Sequence, residues 1–129
     1  MPTRFFATQF AVVEEDDVLI TALGAPASEG DGLYLTLQLG LSPTTQDVAL
    51  CQDGPYLEYC TQAWSWYGEI ELFELFRDHV VATMSSRAAQ RMGNDGVIEV
   101  DFDLSPAQFA ELKGALERTF QGRSLLVLR

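Results

Sequence analysis

The sequence predicts an α+β fold: a single antiparallel β-sheet packed against one main C-terminal helix, with one short helix besides. Three observations predict it. Stretches of strict apolar–polar alternation, the mark of half-buried strands, recur along the chain. One amphipathic helix with clear start and stop signals comes late. No repeat or linker divides the 129 residues, a length that suits one domain over residues 1–129.

Taken in order, Arg4–Val13 and Asp17–Leu23 open the chain as strands. "LYLTLQL" then places Leu33, Leu35, Leu37 and Leu39 on one face and Tyr34, Thr36 and Gln38 on the other. "GAPASEGDG" (Gly24–Gly32) reads as a flexible loop, and "GLSPTTQD" (Gly40–Asp47) as the start of another connection. Tyr56–Gln62, Tyr67–Phe76 and His79–Met84 follow as strands, with Arg77-Asp78 marking a tight hairpin between the last two. Along Glu69–Phe76, Ile70 and Leu72 share one parity while Phe73 and Leu75 take the other. That slip predicts a bulge or burial of both faces. A short helix at Ser86–Met92 ends in the turn signal "GNDG". "VIEVDFDL" alternates again, Ile98, Val100, Phe102 and Leu104 against Glu99, Asp101 and Asp103. The main helix is Ser105–Gln121: Ser105 is an N-cap, Pro106 suits the first helical position, and Gln108 completes a capping box. Phe109, Leu112, Leu116 and Phe120 recur at helical spacing and form its core face, and Gly122 stops it. "SLLVLR" returns as a final strand.

Composition excludes several functions. The apolar share of 47% supports an ordinary core, while nineteen Asp and Glu against eight Lys and Arg leave a net charge of −11. That field repels nucleic acid and anionic membranes, so neither is expected as a partner. The apolar runs fall short of the roughly 20 residues of a membrane-spanning helix. The N-terminus reads as a strand and not as a signal peptide, which predicts a cytoplasmic protein with Cys51 and Cys60 reduced. Charge is also unevenly placed. From Phe5 to Phe76 there are twelve acids and no Lys or Arg, so this part of the chain cannot neutralise itself locally.

Catalytic constellations are scarce, and no enzyme activity, metal or cofactor is expected. His79 is the only histidine, and Cys51 and Cys60 follow no zinc or redox spacing. Nothing in the sequence brings either cysteine to His79 as a nucleophile pair. GxSxG, P-loop and GxGxxG motifs are absent. Glu99, Asp101 and Asp103 share a strand face and are candidate ligands for a hard cation, but such a row is more often the solvated side of a sheet. Glu69 and Glu71 lack the polar neighbours that acid–base work needs.

One stretch stands apart. "YLEYCTQAWSWYGEIELFELF", Tyr56–Phe76, crowds five tyrosines and tryptophans beside four glutamates and holds no base. Glu58 shares a face with Tyr56, and a lone buried carboxylate is too costly, so that face is expected to be wet. Trp64 and Trp66 flank a serine in an expected loop or hairpin end. Aromatic anchors ringed by carboxylates suit docking of a basic partner, though some of these rings must also serve the core. Tyr56, Glu58, Trp64, Trp66, Tyr67, Glu69 and Glu71 are therefore the candidate partner-binding residues.

The chain resembles the bacterial polymorphic-toxin immunity family Immunity protein 10. The resemblance runs from about Gly32 to Gln121, through "GLYLTLQ", "GPYLEYCTQ", "WYGEIE" and the ending "IEVDFDLSPAQFAELKGALERTF". Tyr67-Gly68 matches a Tyr-Gly pair before an apolar strand. Tyr56, Glu58 and Tyr59 match a tyrosine–glutamate strand, and Asp103-Leu104 matches the junction of the closing strand and helix. Glu69 stands where the family pattern has a second glycine. The resemblance implies an α+β protein that binds and neutralises a cognate toxin made in the same cell, with no catalytic residues. The acidic surplus agrees, since a basic toxin would be drawn to it by charge. Two alternatives remain at this level. One is an acidic secretion chaperone, although those open with a helix. The other is a small ligand-binding or enzyme domain with a polar pocket inside the sheet. Oligomeric state and the identity of the toxin are not legible in the sequence.

Overall fold

The computed structural model describes residues 3–26, 32–50 and 54–129. Residues 27–31 of the expected Gly24–Gly32 loop, and Cys51 of the expected reduced pair, lie outside them.

The first turn in the architecture is written at Thr8. Phe5 and Ala7 are buried in strand β1 (Arg4–Ala7), whereas Phe10 and Val12 are the inward residues of β2 (Gln9–Glu15). The inward parity changes from odd to even across one extra residue. Strand side chains alternate with period two, so this single step re-aims the chain and passes it from one sheet to another. What the sequence reads as one strand, Arg4–Val13, is therefore two, each in its own sheet.

β2 turns back into β3 (Val18–Ala25) through Asp16 and Asp17, both with positive φ (52° and 63°), the backbone of a two-residue hairpin turn that aspartate tolerates. β4 (Leu33–Gly40), β5 (Tyr56–Tyr59) and β6 (Thr61–Tyr67) complete an antiparallel sheet in the order β2-β3-β4-β5-β6. Between β4 and β5 lies a helix the sequence reading missed, α1 (Thr45–Ala49), held by a capping box in which Thr44 Oγ1 accepts from Asp47 N–H and Asp47 accepts from Thr44 N–H. The T-x-x-D spacing was its signal.

The second sheet contains β7 (Ile70–Leu75), β8 (His79–Met84), β9 (Val97–Phe102) and β10 (Leu126–Leu128), together with β1, in the order β1-β9-β8-β7-β10. It is mixed: β1 runs parallel to β9 and β10 parallel to β7. The expected hairpin across Arg77-Asp78 is present, with Phe76 N–H donating to the His79 carbonyl at 2.8 Å. The expected bulge is present too: the β7–β8 register shifts between Ile70 and Leu72, and Glu71 is exposed at that point.

The single antiparallel sheet with one main helix is thus corrected to two five-stranded sheets, one antiparallel and one mixed, with three helices. The physical reason is that each strand's alternation marks one apolar face without saying which sheet that face belongs to. The division is set at the parity switch around Thr8 and at Gly68-Glu69, where the chain leaves β6 for β7.

Helix α2 (Ser86–Met92) has Ser85 as N-cap and ends at Gly93 in the left-handed region (φ 73°). Helix α3 (Pro106–Thr119) begins as its sequence predicts: Gln108 N–H donates to Ser105 Oγ at 3.2 Å, and Ser105 N–H donates to Gln108 Oε1 at 3.0 Å. Its face of Leu112 and Leu116, continued by Phe120 just past its end, is buried, and the helix lies against β2, β3 and β4. Phe120 also meets Phe73 of the mixed sheet, ring centroids 5.2 Å apart. Inward residues of both sheets and of α3 join in one continuous apolar core. α3 lies on the inner side of β2, β3 and β4, and on the opposite face Tyr67 is exposed while Tyr34, Tyr56 and Glu58 are half-buried.

Candidate docking surface

The outer face of the antiparallel sheet carries the candidate site. In β5 the inward residues are Leu57 and Tyr59, both fully buried, so Tyr56 and Glu58 point outward. The register places Thr36 beside Glu58 and Gln38 beside Tyr56 on one side, and Ser65 and Tyr67 beside them on the other. Tyr34, two residues before Thr36, is diagonal to Glu58 and within reach of a long side chain.

Glu58 is the centre of this cluster. It is half-buried and held by two phenols: Tyr56 donates to Oε1 at 2.9 Å, and Tyr34 donates to Oε2. Burial, reinforced by the Glu58 hydrogen bond, raises the Tyr34 phenol above its ordinary value, and burial does the same for Tyr56. Both hydroxyls therefore stay protonated and keep donating. The Tyr67 ring leans on Tyr56, centroids 5.0 Å apart and tilted by 50°. Beside Tyr34, the small residues Ala11, Ala22 and Gly24 leave an open hollow of about 580 Å³. Glu58 is expected on a wet face with Tyr56 beside it, and both lie there, the carboxylate relieved by phenols and not by a base.

The other sequence candidates are dispersed. Trp64 and Trp66 are not in a loop; both belong to strand β6. Trp66 is 9% exposed and part of the core. Trp64 is half-buried and lies nearly parallel to Tyr59, centroids 6.1 Å apart and 7° between planes. The reason lies in β6, where Gln62–Trp64 fall out of register with β5 and Trp66 is paired with inward-facing Leu57. Glu69 ties the start of β7 to α2: it accepts from Ser85 Oγ at 2.5 Å, with Arg87 at 4.0 Å. Glu71 is exposed on a different surface, beside α2. Of the seven candidates, the fold brings together Tyr56, Glu58 and Tyr67.

The remaining chemical candidates make the following contacts. Arg4 pairs with Glu99 (3.4 Å) and Asp101 (2.8 Å) on the outer face of the mixed sheet. Among the described residues, no group of three or more His, Cys, Asp and Glu is placed to hold a metal ion. His79, in the mixed sheet, stacks on Phe76 at 4.1 Å and contacts Asp78. Cys60 lies between β5 and β6 with its Sγ against the Tyr34 backbone, on the other sheet's hairpin. Among the described residues, no helix is long and apolar enough to cross a membrane.

Among models of protein families, the one described as Immunity protein 10 matches residues 6–110 of the 129-residue chain. The chain belongs to the Immunity protein 10 family. No curated protein and no solved structure matches it. The family match begins earlier than the Gly32 start of the motif resemblance and ends inside α3. It takes in the whole antiparallel sheet, including the phenols around Glu58. In this Immunity protein 10 chain the residue that sequence reasoning missed is Tyr34. Its place on the polar face of "LYLTLQL" was legible, but its partner lies 24 residues away and only the β4–β5 register brings the two together.

Proposed function

We propose that this immunity protein binds and neutralises a basic cognate toxin in the cytoplasm of the cell that makes both, acting by binding and not by catalysis. The docking surface is the outer face of the antiparallel sheet, centred on Tyr34, Tyr56, Glu58 and Tyr67. One observation carries the reading: a half-buried carboxylate framed by three tyrosines, on a sheet that spans residues 9–67 and contains no Lys or Arg. Tyrosine is enriched at protein interfaces because it offers a large rigid surface with a polar tip. Arg118 of α3 pairs with Glu14 of this sheet, but the acidic surplus left over favours a cationic partner and fast encounter with it.

The test is to read the adjacent reading frame for a toxin module and to co-express that module with this chain. Growth is restored and the two proteins co-purify if the reading holds. Continued killing, with no complex recovered, sinks it.

A further inference from the structure

The phenols leave Glu58 only partly satisfied. A carboxylate offers about four lone-pair sites, two on each oxygen. Tyr56 occupies one on Oε1 and Tyr34 one on Oε2, so each oxygen keeps a second acceptor position. Glu58 takes part in none of the ion pairs formed among the described residues, whose acids are Glu14, Glu69, Glu74, Asp78, Glu99 and Asp101. One acceptor position on each oxygen of a single carboxylate suits a guanidinium, which can donate one N–H bond to each. An ammonium is a compact, strongly hydrated point charge and matches them less well. Tyr67, 42% exposed and seated against Tyr56, adds a ring face for a planar cation at the rim.

We infer that Tyr34, Tyr56, Glu58 and Tyr67 form a socket for one arginine side chain of the protein partner, with the guanidinium bridging both Glu58 oxygens and its plane against the Tyr67 ring. This deepens the docking reading above and rests on it for the identity of the partner as a toxin. The phenols have a definite part. By holding the carboxylate in one orientation before the partner arrives, they reduce the side-chain ordering that binding requires. They are positioning residues, and Glu58 is the residue that meets the cation.

Two measurements test it. The first uses the whole chain and needs no toxin: acetyl-arginine-amide and acetyl-lysine-amide are titrated in parallel while the Tyr56 and Tyr67 ring resonances are followed by NMR. The arginine probe is expected to shift both rings saturably, with the lysine probe at least about fivefold weaker. Glu58→Gln, nearly the same shape without the charge, is expected to abolish the response. Tyr34→Phe, with Glu58 intact but one tether lost, weakens it. Equal responses to the two amides, no saturable shift, or an unchanged response in Glu58→Gln would each overturn the socket.

The second measurement uses the toxin recovered by co-expression. Glu58→Gln is expected to weaken the complex by about tenfold or more, mainly through faster dissociation, with circular dichroism confirming the fold. Replacing the toxin's surface arginines one at a time should reveal a single one whose loss has no further effect in the Glu58→Gln background. Rescue of growth with Glu58→Gln binding like wild type removes the socket and leaves the immunity reading standing. A saturable arginine response without rescue or complex does the reverse.

Discussion

At the scale of single residues, neighbours in β6 have opposite duties. Trp66 faces Leu57 and the core, whereas Tyr67, one residue on, faces solvent beside Tyr56. Trp66→Ala is expected to cost about 3–5 kcal/mol in chemical denaturation, the usual range for removing a buried aromatic. Tyr67→Ala is expected to cost less than about 1 kcal/mol. Similar losses for the two would mean that β6 is turned the other way. Thr21 raises a different point. Its side chain is buried on the inner face of β3 and, among the described residues, its hydroxyl has no hydrogen-bond partner. Such an unsatisfied group costs about 1–3 kcal/mol, so Thr21→Val, with the same shape, is expected to raise the denaturation midpoint. A lower midpoint would show that the hydroxyl is satisfied in solution.

At the scale of elements, α3 joins local signals to the core. The reciprocal bonds of Ser105 and Gln108 satisfy two N–H groups that the first turn would otherwise leave open. Losing that cap through Ser105→Ala is expected to cost about 0.5–2 kcal/mol. Leu116→Ala, opening space under the C-terminal part of the helix, is expected to cost about 2–5 kcal/mol. Equilibrium unfolding in urea ranks the two, and the reverse order would mean that the helix is held by its start and not by its apolar face. Arg77 strengthens the same junction, its guanidinium 4.7 Å from the Phe109 ring centroid and donating to the Leu104 carbonyl at 2.9 Å.

At the scale of the molecule, the tyrosines make stability depend on alkaline pH. Burial raises the Tyr59 phenol in the core above its ordinary value of 10.0. Burial and the Glu58 hydrogen bond do the same for Tyr34 at the surface. A phenol whose value is raised by folding favours the folded state while it is protonated. Its contribution is therefore fully present below pH 10.0, where the unfolded group titrates, and is lost as pH rises above it. The Cys60 thiol, also raised by burial, adds a loss that begins above pH 9.0, so the melting temperature should hold up to pH 9.0 and then fall. Tyr34→Phe, which cannot ionise, should fall less steeply than wild type. An identical alkaline slope in the variant would show that Tyr34 does not contribute.

The sequence by itself determined which residues share a face, where α2 and α3 begin, and that the first part of the chain cannot neutralise its own charge. The alternation of Leu33–Leu39, the short helix Ser86–Met92, the cap at Ser105, the bulge in β7 and the turn before β8 all rest on neighbours a few residues apart, and such interactions are legible along the chain. Only the tertiary structure decided that there are two sheets and that β1 and β10 run parallel to their neighbours. It also decided that Trp66 is core and that Tyr34 tethers Glu58. Period-two alternation says that two faces differ without saying what covers either. That depends on which strand lies alongside, in which register, and on the side to which α3 returns.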